Sequence, residues 1–159
     1  MKFLALTLVF SMMAFSAQAQ DSNSYVQGVM GFESGGVNIG FDYESRAVGS
    51  TAGYGGYFLF SSEKDGASAQ VMSFGAMSKI HLLDDSKFDI SVAPGFGISM
   101  IEMGPNDETI LGPVVKFGLL YKFSDQMAFG GEMFKAYNWL SDDFGGTLDY
   151  FNLALRLRL

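Results

Sequence analysis

The sequence has no cysteine among its 159 residues. This excludes disulfides, thiolate metal sites and a lipidated N-terminal cysteine, so an exported form must fold without staples. Proline occurs only three times, against twenty glycines and sixteen phenylalanines, a balance that suits many strands with tight turns rather than helices. Beyond the N-terminus no stretch has 18 consecutive apolar residues, so no transmembrane helix is expected. Basic residues are also in short supply. A net charge of −7 argues against nucleic acid as a partner, since that role needs a basic surface.

What the chain does have begins at its N-terminus. Met1-Lys2 is followed by an apolar stretch from Phe3 to Phe15 and then by Ser16-Ala17-Gln18-Ala19-Gln20. One positive charge, a short apolar core and small residues at Ala17 and Ala19 spell a secretory signal peptide over residues 1–19. The apolar core is shorter than the roughly 20 residues a spanning helix needs. Residues 20–159 are then one domain, with net charge −8 because the leader contributes only Lys2.

The C-terminal stretch sets the fold class. From Phe151 onward the odd positions Phe151, Leu153, Leu155, Leu157 and Leu159 are large and apolar, while Asn152, Ala154, Arg156 and Arg158 alternate with them. A period of two over this length is a strand with one apolar and one polar face. An unpaired amphipathic strand at the chain end would invite aggregation, so it is expected to close on another strand.

Seven further strands precede it, at about Ser24–Glu33, Val37–Arg46, Gly53–Ser61, Ala69–Leu82, Phe88–Met100, Leu111–Phe123 and Met127–Trp139. The register of the first and third is ambiguous. Pro94 and Pro113 each remove a donor from the ladder, and a local bulge is expected there. Apolar residues share one parity, as in Val37, Ile39, Phe41 and Tyr43 or Phe88, Ile90 and Val92. The other parity is mostly Gly, Ala and Ser with scattered charges, too sparse to be the solvated coat of a soluble lipocalin-type barrel. It fits the narrow interior of an eight-stranded barrel instead. The apolar parity, with Tyr43, Tyr121, Phe123, Phe129 and Trp139, fits a lipid-facing band. The expected fold is all-β: an eight-stranded antiparallel up-and-down transmembrane β-barrel. An even strand count puts both termini on the periplasmic side. The outer connections then carry Glu63, Asp65, Glu102, Asp107, Glu108, Asp142 and Asp143.

Leader, strand count and amphipathic last strand together resemble the small eight-stranded outer-membrane barrels of Gram-negative bacteria, such as the OmpA transmembrane domain and OmpX. The resemblance spans the whole mature chain and rests on no diagnostic motif. It implies an outer-membrane location, a monomer, contact with outer-membrane lipid and lipopolysaccharide, and recognition by the barrel-assembly machinery. In that family the last strand is the assembly signal and usually ends in an aromatic residue. Here Phe151, Leu155, Leu157 and Leu159 keep the apolar parity, while Leu159 departs from the aromatic ending. The OmpA-type periplasmic domain is not found, so no peptidoglycan anchoring by that route is expected. Members of the family serve as adhesins, anchors or narrow pores, so the fold does not choose among these roles.

For chemistry the sequence offers little. Acyl transfer on lipid A needs a histidine near a serine or carboxylate. The one histidine, His81, is expected inside the barrel mouth on the periplasmic side, solvated or structural, with Leu82-Leu83 where the deacylase pattern has His-x-Ser. Neither enzymatic activity nor a cofactor is expected. No loop has calcium-ligand spacing, and the glycines alternate within strands instead of forming a phosphate loop. Interior charge is the more promising feature. Pairing Phe123 with Met127 puts Gly118 opposite Glu132 and Lys116 diagonal to it. Parity also permits Arg156 opposite Glu132. Glu132, Lys116 and Arg156 are therefore the candidate interior charge network, with Glu132 as its centre and a plug or gate as its role. Structural or surface-interaction roles lead the functional reading, with a narrow pore for ions or small solutes as the alternative.

Overall fold

A computed structural model describes residues 22–33, 36–62, 69–103, 106–139 and 147–159. The expected leader lies outside the described residues, as do Glu63, Asp65, Asp142 and Asp143. Eight strands follow one another: β1 (Ser22–Glu33), β2 (Gly36–Ala47), β3 (Ala52–Ser62), β4 (Ala69–Asp84), β5 (Phe88–Met103), β6 (Asn106–Lys122), β7 (Met127–Tyr137) and β8 (Thr147–Arg158). Each pairs antiparallel with its chain neighbours, and β8 also pairs with β1 from Tyr25–Arg158 to Gly31–Asn152, which closes the barrel. The amphipathic last strand is thus the closing strand.

Alternation along each strand assigns the two faces. On β8 Phe151, Leu153, Leu155 and Leu157 are exposed, whereas Asn152, Ala154 and Arg156 are buried. The same holds on β2, where Ile39 and Phe41 are exposed while Asn38, Asp42, Glu44 and Arg46 are buried. Phe88, Phe117, Leu119, Tyr121, Phe129 and Met133 continue the apolar exterior around the barrel. A soluble monomer rarely exposes a contiguous apolar patch beyond a few hundred Å². This barrel is the inverse of a soluble one, with apolar side chains outside and ionised ones inside. Space inside is tight: a side chain on Gly97 of β5 would run into the Tyr57 hydroxyl, so Gly97 lets that ring cross the lumen.

Two expectations change. Glu102, Asp107 and Glu108 are strand residues, because β5 and β6 pair continuously from Phe88–Tyr121 to Met103–Asn106. Pro94 and Pro113 produce no bulge in that ladder, where Pro94 pairs with Val115 and Phe96 with Pro113. Each proline instead sits where hydrogen bonding on its other side is missing. The β4–β5 register is the same at Met77–Gly95 and Ile80–Val92 with no pairs between them, and the β6–β7 ladder starts only at Val114. The one register shift on β4–β5 falls between His81 and Leu83.

The end of the barrel that carries β1's start and β8's finish has three tight turns. In residues 48–51, Gly49 takes a φ of 78°, a left-handed conformation that favours glycine, and the Ser50 amide donates to the Ala47 carbonyl at 3.0 Å. At the next turn Asp85 Oδ1 accepts from the amides of Lys87 (2.6 Å) and Phe88 (2.7 Å). At the third, the Phe123 amide donates to the Met127 carbonyl at 3.2 Å, and Ser124 Oγ accepts from the Met127 amide at 3.1 Å.

Candidate functional site

Alternation along the strands delivers polar side chains to one narrow lumen, where they form two tiers. The lower tier lies near the turn-bearing end. His81 of β4 is enclosed there, its Nε2 2.8 Å from Glu44 Oε1 and its Nδ1 2.7 Å from Asp89 Oδ1. Both acceptors are carboxylates, so an imidazolium that donates from each nitrogen satisfies the geometry. Asp89 also binds Arg156, and Arg46 reaches Asp84 at 2.8 Å and Glu44 at 3.8 Å. Tyr25 stands between the two arginines: its ring centroid is 5.0 Å from the Arg46 guanidinium and 4.9 Å from that of Arg156. Its hydroxyl accepts from Arg46 Nη2 at 2.8 Å. Below this tier a vestibule of about 510 Å³ opens, lined by Tyr25, Arg46, Asp84, Lys122, Arg156 and Arg158 among others.

The upper tier is centred on Lys116 of β6. Its Nζ lies 2.6 Å from Asp42 Oδ1 on β2 and 2.7 Å from Glu132 Oε1 on β7. Gln27 of β1 braces both acids, donating to Glu132 Oε2 at 2.6 Å and to Asp42 Oδ2 at 3.5 Å. Gln27 Oε1 in turn accepts from Lys79 Nζ at 3.1 Å. The lysine ammonium also sits 5.4 Å from the Tyr57 ring centroid and 5.8 Å from that of Phe134. Above it, Tyr57, Phe134 and Tyr150 pack edge to face or tilted, at 5.4 and 5.8 Å. Gln27, Asp42, Lys116 and Glu132 are all at most 4% exposed.

Every buried carboxylate among the described residues has a cation beside it. Among the described residues four buried carboxylates (Asp42, Glu44, Asp89, Glu132) face four buried bases (Arg46, Lys79, Lys116, Arg156), besides His81. Burying unpaired ions carries a large desolvation penalty, so pairing is what allows this interior to exist.

The structure brings Lys116 and Glu132 together, with Gly118 opposite Glu132 in register. It does not bring Arg156 to Glu132. The β7–β8 register sets Glu132 opposite Asn152 and Arg156 opposite Ala128, and Arg156 is committed to Asp89. The centre of the upper tier is the base, not the acid: one lysine holds two carboxylates. Asp42, Gln27 and Lys79 were missed as members, although their inward parity was readable. They lie on strands remote from β6, and only contact across the lumen joins them. His81 is buried between two acids instead of solvated. Phe151, Leu155, Leu157 and Leu159 all point outward and are exposed.

No protein-family model matches the sequence, and no curated protein matches it. Solved structures do match in fold. The N-terminal β-barrel domain of Pseudomonas aeruginosa OprF superposes with a TM-score of 0.64 at 10% identity, over 87% of this chain and 98% of that one. Neisserial surface protein A gives 0.55 at 11% identity, over 87% and 96%. The Yersinia pestis outer-membrane protein Ail gives 0.54 at 13% identity, over 87% and 100%. The chain therefore has the fold of the small eight-stranded outer-membrane β-barrels.

Proposed function

We propose that this protein is a monomeric outer-membrane barrel of a Gram-negative envelope, with a structural or surface-interaction role and neither conduction nor catalysis. The observation that carries the reading is the inverted barrel, whose exterior is apolar and whose lumen is bridged from β2 to β6 to β7 by the Asp42–Lys116–Glu132 tier beneath Tyr57 and Phe134. Such an exterior calls for lipid and for delivery by the barrel-assembly machinery, with the outward apolar side chains of β8 as the signal. One polar patch interrupts the outer face: Lys135 and Asp149 pair across β7 and β8 at 3.1 Å, and Thr147 donates to Asp149 at 2.7 Å. We assign it to contact with lipopolysaccharide head groups at the outer boundary of the membrane. Ail has been solved with the heparin analogue sucrose octasulfate. Here Glu102 and Asp107, exposed near the ends of β5 and β6, make a polyanion a poor ligand and a basic surface partner a better one.

A narrow pore is the second reading, favoured by the charged vestibule leading to the lower tier. Lipid A acyl transfer has less support, because both His81 nitrogens face carboxylates and neither is free to activate a nucleophile. Single-channel recording in planar bilayers separates the first two readings. The proposal expects no unitary conductance, and steady unitary steps would replace it with the pore.

A further inference from the structure

The vestibule at the turn-bearing end gathers more cations than there are carboxylates to hold them. Four of the chain's ten lysines and arginines line it: Arg46, Lys122, Arg156 and Arg158. The acids at its floor are shared. Asp84 serves both Arg46 and Lys122, and Asp89 serves both Arg156 and His81. Glu44 contacts His81 as well and lies 3.8 Å from Arg46. Arg158 has an amide oxygen in place of an acid, Asn23 Oδ1 at 2.7 Å. Of the two other acids on the wall, Asp85 accepts its own turn's amides, and Asp125 stands exposed at the next turn. In a chain of net charge −7, this gathering of bases runs against the overall balance.

We infer that the vestibule is an anion-binding pocket for a small solute that carries two or more carboxylate or phosphate groups. Its volume of about 510 Å³ falls within the roughly 300–1,000 Å³ of small-molecule clefts. Arginine forks match the paired oxygens of carboxylate and phosphate. Two of these forks are already fixed in place. Arg46 and Arg156 are buried against the Tyr25 ring, so binding costs them little side-chain freedom. Among the described residues, each of the three arginines spends at most two N–H groups on protein acceptors within hydrogen-bond distance. The remaining donors are left for an incoming anion. A monovalent ion gains little against Asp84 and Asp89, which are already seated, whereas a multivalent one engages several cations at once. The pocket opens at the opposite end of the barrel from Glu102 and Asp107, so it is separate from the surface partner proposed above. An even strand count turns it toward the periplasm.

The test is NMR of the refolded barrel in non-ionic detergent micelles, reading the arginine Nε–H signals. The protein is titrated with citrate, with pyrophosphate and, at matched ionic strength, with sodium chloride. Citrate or pyrophosphate should move the Arg46, Arg156 and Arg158 signals saturably, and chloride should not. Arg158→Gln should weaken that binding by about tenfold or more, the worth of one lost charge-assisted contact, with the backbone spectrum otherwise kept. Shifts that chloride reproduces, or no saturable shift with either probe, would overturn the pocket. Unchanged affinity in a folded Arg158→Gln variant would overturn it too. Should that variant fail to fold, Lys122→Gln takes its place, with weaker binding supporting the pocket and unchanged affinity refuting it.

Discussion

Lys116 and Glu132 stand two residues off register across the β6–β7 ladder and close a 2.7 Å ion pair inside the barrel. Because Lys116 also holds Asp42 at 2.6 Å, its removal strands two carboxylates at once. Breaking a buried pair by removing one partner typically costs about 3–5 kcal/mol. Lys116→Met should reach at least that range, and Glu132→Ala should cost less, since Asp42 still neutralises the lysine. Urea unfolding of the refolded barrel measures both, and equal costs would mean that Asp42 does not share the lysine.

Arg156 supports the lower tier through Asp89. A double-mutant cycle should therefore give a larger coupling energy for Arg156 with Asp89 than for Arg156 with Glu132. The reverse ranking would restore the Glu132–Arg156 pairing that parity alone permitted.

His81→Ala should leave lipid A composition unchanged and lower stability, because Glu44 and Asp89 lose the cation between them. Mass spectrometry of lipid A and unfolding of the same variant make the check. A changed acylation pattern would promote the enzyme reading.

At the exposed turn, the Asp85 carboxyl is held below its ordinary value by the Phe88 amide and then by the Lys87 amide. A lowered folded value means that the stabilisation is present above the unfolded carboxylate pKa of about 3.9 and is lost as pH falls through the folded value. Asp85→Ala should therefore be less stable than wild type at neutral pH and converge with it in acid. A stability difference that does not change with pH would contradict the carboxylate's role.

Past the β1–β8 ladder the chain end is tied on both sides, where the Leu159 amide donates to the Ser24 carbonyl at 2.9 Å and the Arg158 amide to the Gln126 carbonyl at 2.8 Å. Deleting Arg158-Leu159, or making Leu157→Asp, should impair insertion. A lipid-facing Arg or Lys costs about 2–4 kcal/mol at the midplane, acids less, and less again near an interface. Leu157 lies near the end of the barrel, so its penalty belongs at the low end. Normal membrane insertion of both variants would mean that the strand end is dispensable.

Period-two alternation made the strands, their faces and the closing strand legible, because side-chain direction in a strand depends on position alone. The turn at Ser124 even made the β6–β7 register readable, and with it the Lys116–Glu132 diagonal. Contacts through the lumen were not legible. Asp42 meets Lys116 across the barrel, and no local rule gives the distance between β2 and β6. The length of the loop before β8 concealed its register, which is why Arg156 could not be assigned to Asp89. The outer ends of β5 and β6 read as loop because Gly104-Pro105 and the acids around them are turn residues by composition. Pairing carries the strands up to that dipeptide all the same.

The apolar parity is expected to face lipid, and the cysteine-free sequence allows its surroundings to be measured at single sites. Nitroxide labels at Leu153→Cys, Leu155→Cys and Phe117→Cys, in protein reconstituted into bilayers, should collide readily with oxygen and hardly at all with a water-soluble nickel complex. Strong collision with the nickel complex at these three positions would place the face in water and contradict the account.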